Sequence, residues 1–432
     1  MKYIIILFLT CIFFSSCDLF DELFGVKETE NKLPSYKTKI AWASNLVSNS
    51  YTDHTVDNDS VFFFERPPGY KTVNIYALTR LNAQTGALIW RSRAIFRNTI
   101  FSQPIVIDGY VYVFLQPSGI LCFDYETGEQ TATVYVNIDY KGLRFNWDFP
   151  VAYQEYIYLS LYSPGTYFVR LDSRLINQRG DFNITQVLAP QILWELENRQ
   201  IIETKPVIYN NTVFTATSGF IDKPIEIAGF DLDSLEMVFH CSFGGSQDQA
   251  DYGNSMVYYD RGGDVAKILV HKDILYFIGP SRSAWDIGSS EKIYRHINSN
   301  NVPNAERCHA DCLQPLYYKG KIYYTNQSSY RMNDSFRNIQ CIDAATGKLV
   351  WNTIAKDSES LYTNPIIAHG KLYISQYDGF FVYDPKTGKL LGVDQTFKGA
   401  GRGRNVLYND LMICVRYNKN DEGKLVAVYV GK

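Results

Sequence analysis

Leu81-Asn-Ala-Gln-Thr-Gly-Ala-Leu-Ile-Trp90 and Ile342-Asp-Ala-Ala-Thr-Gly-Lys-Leu-Val-Trp351 are two copies of one unit, and the reading of that unit decides the fold. Further copies stand at Phe123-Asp-Tyr-Glu-Thr-Gly-Glu129 and Tyr383-Asp-Pro-Lys-Thr-Gly-Lys-Leu-Leu391. The pattern is that of a hairpin. An Asp or Asn side chain bonds the turn backbone, and Gly takes the positive φ that a tight turn demands. The Trp that closes the unit supplies a large ring to bury against a neighbouring repeat.

The repeat has a period. Gly86 to Gly128 spans 42 residues and Gly347 to Gly388 spans 41, the length of a four-stranded propeller blade. The repeats also open alike, at Gln103-Pro104, Phe149-Pro150, Lys205-Pro206, Gln314-Pro315 and Asn364-Pro365, each followed by a short apolar strand, a turn and an alternating strand such as Tyr110-Val-Tyr-Val-Phe114. Pro at the start of a strand sacrifices no ladder hydrogen bond. Weaker copies lie at Leu171-Asp172 leading to Trp194 and at Phe230-Asp231 leading to Phe239; both keep the Asp and lose the Gly. Residues 250–300 are least regular. Lys267–Asp273 and Ile274–Ile278 read as two strands and Lys292-Ile-Tyr294 as a third, with no clear outer strand.

The last unit has three strands, at 405–408, 411–415 and 424–429, and then the chain ends. Lys39-Ile-Ala-Trp-Ala43 has the pattern of the missing outer strand, with Trp42 standing where Trp90 and Trp351 stand in theirs. Completing the last blade with the first strand closes the ring and removes an unpaired edge. The expectation is an all-β, eight-bladed β-propeller over residues 37–432, with four-stranded antiparallel blades, or seven blades if 250–300 forms none. Composition agrees: the 432 residues include 33 Tyr and 26 Phe against 5 Met, a balance suited to pleated sheets. A formal net charge of -3 gives no basic surface for nucleic acid.

Ahead of the repeats, Lys2 precedes the apolar run Tyr3–Phe14, too short to span a bilayer and long enough for the core of a signal peptide. Ser15-Ser16-Cys17 follows and resembles the bacterial lipobox, although Phe14 replaces its usual Leu. That resemblance implies a lipoprotein signal peptide over 1–16, lipidation of Cys17 as membrane anchor, and a polar tether over 17–36. Asp18, Asp21 and Glu22 resemble the acidic export signal of Bacteroidota lipoproteins; a solvated linker is the alternative reading.

The full repeat, x-Pro-apolar through Asp-x-x-Thr-Gly-x-x-x-Trp, resembles that of the quinoprotein alcohol dehydrogenases, which non-catalytic propellers of the BamB type share. The likeness covers nearly the whole mature chain and implies fold more than activity. Those dehydrogenases hold pyrroloquinoline quinone beneath a disulfide of adjacent cysteines beside a metal, and no two of the 8 cysteines here are adjacent. No cofactor, catalytic residue or metal site is therefore expected. Trp42, Trp90, Trp194 and Trp351 read as blade packing, and the recurrent Asp124, Asp172, Asp231, Asp343 and Asp384 as turn residues.

Cys308-His-Ala-Asp-Cys312 is a lone pair of thiols; in an oxidising exported compartment a disulfide between Cys308 and Cys312 is the expectation, with zinc the weaker alternative. Cys122, Cys341 and Cys414 lie within strand patterns and read as buried, unpaired core residues. Binding is expected on insertions at 137–148, 173–191, 222–227, 243–264, 280–291 and 326–337, where Trp147 and Trp285 are candidate ligand contacts. The function implied is an outer-membrane, lipid-anchored scaffold of the BamB type whose partners are envelope proteins, such as an outer-membrane barrel complex. A surface glycan binder is the first alternative and a quinone-dependent oxidoreductase the second.

Overall fold

The computed structural model describes residues 34–48, 54–65, 76–93, 102–115, 119–136, 144–145, 150–162, 166–177, 186–196, 201–202, 204–218, 225–243, 267–278, 281–297, 314–327, 337–354, 363–376, 379–395, 404–417 and 423–431. The chain divides into Met1–Ser35 and Tyr36–Lys432, and the second unit carries the strands treated below. Cys17 and the segments flanking it lie outside the described residues.

Eight small antiparallel sheets form an eight-bladed β-propeller, seven of them built on four strands in chain order and the eighth on the last three strands and the first. Blade 2 shows the plan: Ile105–Ile107 is innermost, Tyr110–Leu115 and Gly119–Asp124 follow, and Gln130–Val136 is outermost. Two-residue turns join the first and second strands. In blades 2, 4, 5, 6 and 7 both turn residues have positive φ, as at Asp108-Gly109 and His369-Gly370, the geometry of the type I′ turn that matches strand twist. In blades 3 and 4 the innermost strand is split. Arg144–Phe145 and Val151–Tyr153 both pair with the second strand on either side of Pro150, and Ile201–Ile202 and Val207–Tyr209 do so around Pro206. A proline has no N–H for the ladder, so neither Pro150 nor Pro206 adds a rung between the two pieces.

The core is distributed. Alternate residues of each blade point to opposite neighbours, so Phe62 and Phe64 of blade 1 pack on blade 2 while Val61 and Phe63 pack on blade 8. Buried apolar clusters fill every blade-to-blade interface around the ring, blade 8 to blade 1 included.

Closure follows the expected route. The N-terminal strand Lys39–Ser48 pairs antiparallel with Gly423–Tyr429, from Lys39↔Tyr429 to Ser48↔Gly423, as the outer strand of the last blade. The segment leading into it is tied to blade 7: Tyr36 N–H donates to Val393 O at 2.9 Å and Thr38 N–H to Asp394 Oδ2 at 2.6 Å.

Residues 267–297 form a complete blade 5, which excludes the seven-bladed alternative. The strand assignment made from sequence needs correcting there. Lys292–Ile297 is the outer strand, and the third strand is Ser281–Asp286, inside the stretch 280–291 that was expected to be an insertion. Asp286 Oδ1 accepts from Ser289 N–H at 2.8 Å and Ser289 Oγ–H at 2.9 Å, while Ser290 takes the positive φ in place of Gly. The hairpin keeps its geometry with the motif's Thr-Gly replaced by Ser-Ser, which hid it from pattern reading.

The outer-strand tryptophans explain why Gly is present where it is. Trp42, Trp90 and Trp351 each donate their indole N–H to a turn carbonyl of the next blade, at Ala83 (2.9 Å), Tyr125 (2.8 Å) and Pro385 (3.0 Å). Each ring lies so close to that blade's turn glycine that a Cβ on Gly86, Gly128 or Gly388 would come within 2.6 Å of the indole. By contrast, Gly109 has φ +77 and open space around it. Gly128→Ala should therefore destabilise the fold by about 3 kcal/mol or more, adding a steric clash to left-handed strain. Gly109→Ala should cost only about 1 kcal/mol, from strain alone. Urea unfolding of the two variants followed by Trp fluorescence measures the difference; equal midpoints would refute the packing role of Trp90.

Candidate interaction surfaces

In a blade built as a continuous four-stranded meander both hairpins turn at one rim, because the first-to-second and third-to-outer connections lie at the same end. That rim is stitched around the ring. Asp124 Oδ1 accepts from Glu126 N–H (3.0 Å), Thr127 N–H (2.8 Å) and Thr127 Oγ–H (2.9 Å), so the turn Asp serves its own hairpin. The same donors hold the carboxyls of Asp231 and Asp286 below the ordinary Asp range, first through the backbone N–H of Ser234 and Ser289. The expected turn role of Asp124, Asp172, Asp231, Asp343 and Asp384 is thus what the geometry shows.

Other contacts cross between blades. Asn210 Nδ2 donates to Asp273 Oδ1 at 3.0 Å, His369 Nε2 meets Asp410 Oδ1 at 2.8 Å, and Tyr408 Oη–H donates to Asp59 across the closure. Arg80 is buried, its Nε donating to Ser60 Oγ and its Nη1 to Tyr125 O and Glu126 Oε2. Trp194 lies half-buried against Phe230, ring centroids 6.1 Å apart, and faces a turn where Leu235 replaces Gly. There Arg170 Nη1 reaches the equivalent carbonyl, Leu232 O, at 3.3 Å. The hairpin rim is a surface of satisfied turns.

The outer strands present a different surface. Leu88 and Ile89 in blade 1 and Met237 and Val238 in blade 4 are exposed in adjacent pairs, with Leu88 53% and Val238 55% accessible. These strands are the terminal members of their sheets among the described residues, so a row of backbone N–H and C=O groups runs beside each apolar pair. In blade 2 the corresponding edge is occupied. Gln186–Leu188 lies parallel to the outer strand in the register Gln186↔Val134, Val187↔Tyr135 and Leu188↔Val136. This segment belongs to the expected insertion at 173–191, which also forms the short helix Ser173–Asn177 over the interface of blades 2 and 3. An outer edge of this propeller thus accepts an added strand from the chain itself.

Trp285 is a core residue of blade 5 rather than an exposed loop aromatic. It stands immediately before the turn Asp of blade 5, 9% exposed, within the apolar cluster between blades 4 and 5, and its Nε1 donates to Ser283 Oγ at 3.2 Å. Its flanking residues looked like a loop only because the third strand was misread. Trp147, Cys308 and Cys312 lie outside the described residues. Cys122, Cys341 and Cys414 are buried thiols outside any disulfide, as expected, and Cys241 joins them. These four thiols stand singly in blades 2, 4, 6 and 8. Among the described residues no His, Cys, Asp and Glu side chains group in threes, and no two cysteines of the chain are adjacent. The exposure of these outer strands escaped sequence reading, because apolar residues on an outer strand look like core residues until the sheet order is known.

No protein-family model matches this chain, and no curated protein matches its sequence. Solved structures match throughout the propeller. BamB from Moraxella catarrhalis is 12% identical, with a TM-score of 0.59, over 91% of this chain and 98% of that one. The quinohemoprotein alcohol dehydrogenase from Comamonas testosteroni is also 12% identical, with a TM-score of 0.64, over 91% of this chain and 77% of that one. The computationally designed Ika8 protein is 10% identical, with a TM-score of 0.58, over 90% and 99% of the two chains. These likenesses carry the fold.

Burial raises the thiols of Cys122, Cys241 and Cys414 to about 12 and that of Cys341 to about 11, from 9.0. The folded state therefore holds these protons where the unfolded chain releases them. Stability from this source is complete below pH 9.0 and is lost progressively as pH rises towards about 12. Alkylation mapped by mass spectrometry at pH 8 should leave all four cysteines unlabelled in the native protein and label them in urea; rapid native labelling of any would contradict their burial.

Proposed function

We propose that this chain is an exported, lipid-anchored protein of the cell envelope, held at the outer membrane through Cys17, whose propeller serves as a non-catalytic scaffold for protein complexes. The observation that carries the reading is the open, apolar outer edge of blades 1 and 4 on a ring whose blade 2 already takes an added strand. Edge pairing of this kind recognises an extended polypeptide through backbone hydrogen bonds and selects it through alternate side chains. The likeness to BamB, which spans almost all of that chain, and the absence of adjacent cysteines support a propeller without quinone chemistry.

The test is affinity purification of the full chain, tagged at Lys432, from gently solubilised envelopes of its native host. A defined envelope protein should co-purify, fall by about tenfold or more with Val238→Asp, which places a charge on the edge of blade 4, and fall with Cys17→Ala. A clean wild-type preparation would overturn the scaffold reading, and membrane retention of Cys17→Ala equal to wild type would overturn the anchor.

A further inference from the structure

Arg282 occupies a position that the repeat reserves for the core. In every blade whose third strand ends in the turn Asp or Asn, the residue four places earlier is buried. Leu78, Ile120, Phe168, Ile227, Ile339 and Phe380 fill it elsewhere, each fully buried. In blade 5 that residue is an arginine, 8% exposed, whose Nε and Nη1 are sealed from solvent with no hydrogen-bond partner. The other buried ionic groups of the third strand and its neighbour are answered: Arg80 by three acceptors, and Glu65 by Arg91. An unpaired buried guanidinium is penalised by desolvation, which the leucine or isoleucine the fold would accept there is not.

The surroundings suit an oxyanion. Arg282 pairs across the sheet with Ile278 and shares its face with Ala284, which packs on Tyr324 and Ile342 of blade 6. That face of blade 6 is unusually polar. Tyr324 Oη–H donates to Gln340 Oε1 at 2.5 Å, and Gln340 and Asn338 are both buried. Tyr294, on the outer strand of blade 5, lies within the field of Arg282. The arginine sits at the start of its strand, so its residual exposure is at the rim opposite the Asp turns. A planar fork of N–H donors matches the oxygens of a carboxylate or phosphate in two parallel bonds.

We propose that the interface between blades 5 and 6 at Arg282 is a binding site for an oxyanion group, phosphate or carboxylate, held by the Arg282 guanidinium beside the buried amide and phenol side chains of that face. This site is independent of the scaffold reading and can exist if that reading fails. The test is thermal unfolding of the purified full chain in sodium phosphate, sodium acetate and sodium chloride at equal ionic strength, for wild type and Arg282→Leu. At saturating ligand, wild type should gain about 3 °C over its value in chloride, and Arg282→Leu should gain nothing. A gain in phosphate alone assigns a phosphate ligand, a gain in acetate alone a carboxylate, and a gain in both the shared chemistry. Equal responses of the two proteins, or no response of wild type to either anion, would overturn the site. Should Arg282→Leu not fold, Arg282→Lys replaces it, since Lys keeps the charge and loses the fork. A smaller gain than wild type then supports the site and an equal one overturns it.

Discussion

The contact on which the ring depends is the indole of one blade seated on the turn of the next. Trp42, Trp90 and Trp351 each give an N–H to the carbonyl that follows a turn Asp or Asn, and each lays its ring where the turn glycine has no Cβ. One residue type thus meets two demands: the hairpin needs a left-handed backbone, and the neighbouring blade needs the space. The Asp or Asn, held by its own Thr, keeps the carbonyl aimed outward. Trp42 makes this contact from the N-terminal strand, so the bond that joins blades also closes the ring.

Where the contact is changed, the ring compensates. Between blades 3 and 4 a leucine replaces the glycine, Trp194 stays half-buried, and Arg170 supplies the donor to Leu232 O. Between blades 4 and 5 the indole is absent from the outer strand, and Trp285 fills the interface from the third strand. A propeller tolerates such exchanges because each blade answers only to its two neighbours, so a local change does not propagate. The same independence leaves individual outer edges free to diverge: that of blade 2 is covered by Gln186–Leu188, while those of blades 1 and 4 carry bare apolar pairs.

The departures from the repeat are of two kinds. Asp286 with Ser289 and Ser290, and Asp231 with Ser234 and Leu235, change the letters and preserve the hydrogen bonds. They are structural synonyms. Arg282 preserves the strand and changes the chemistry of a core position, leaving donors that the protein does not satisfy. A synonym needs no explanation beyond folding, whereas an unsatisfied buried charge requires a partner.

The blades and the structural role of the turn aspartates were legible in the sequence, because each rests on interactions within about ten residues: a carboxylate reaching its own turn, a glycine at positive φ, alternation along a strand. The strand exchange that closes the ring joins opposite ends of the chain and was legible only because Lys39–Ser48 carries the outer-strand pattern that the last blade lacks. The buried state of Cys122, Cys341 and Cys414 followed from the same alternation. What lies on the two sides of a strand was not legible. Trp285 read as a loop aromatic and proved to be core; Met237 and Val238 read as an ordinary outer strand and proved to form an exposed edge; Arg282 drew no notice at all. Burial at those positions depends on which sheet a strand joins and which blade it faces, contacts between residues far apart in the chain. Local sequence therefore determined the blade, and only the closed tertiary arrangement decided which edges stay open and which side chains are sealed within.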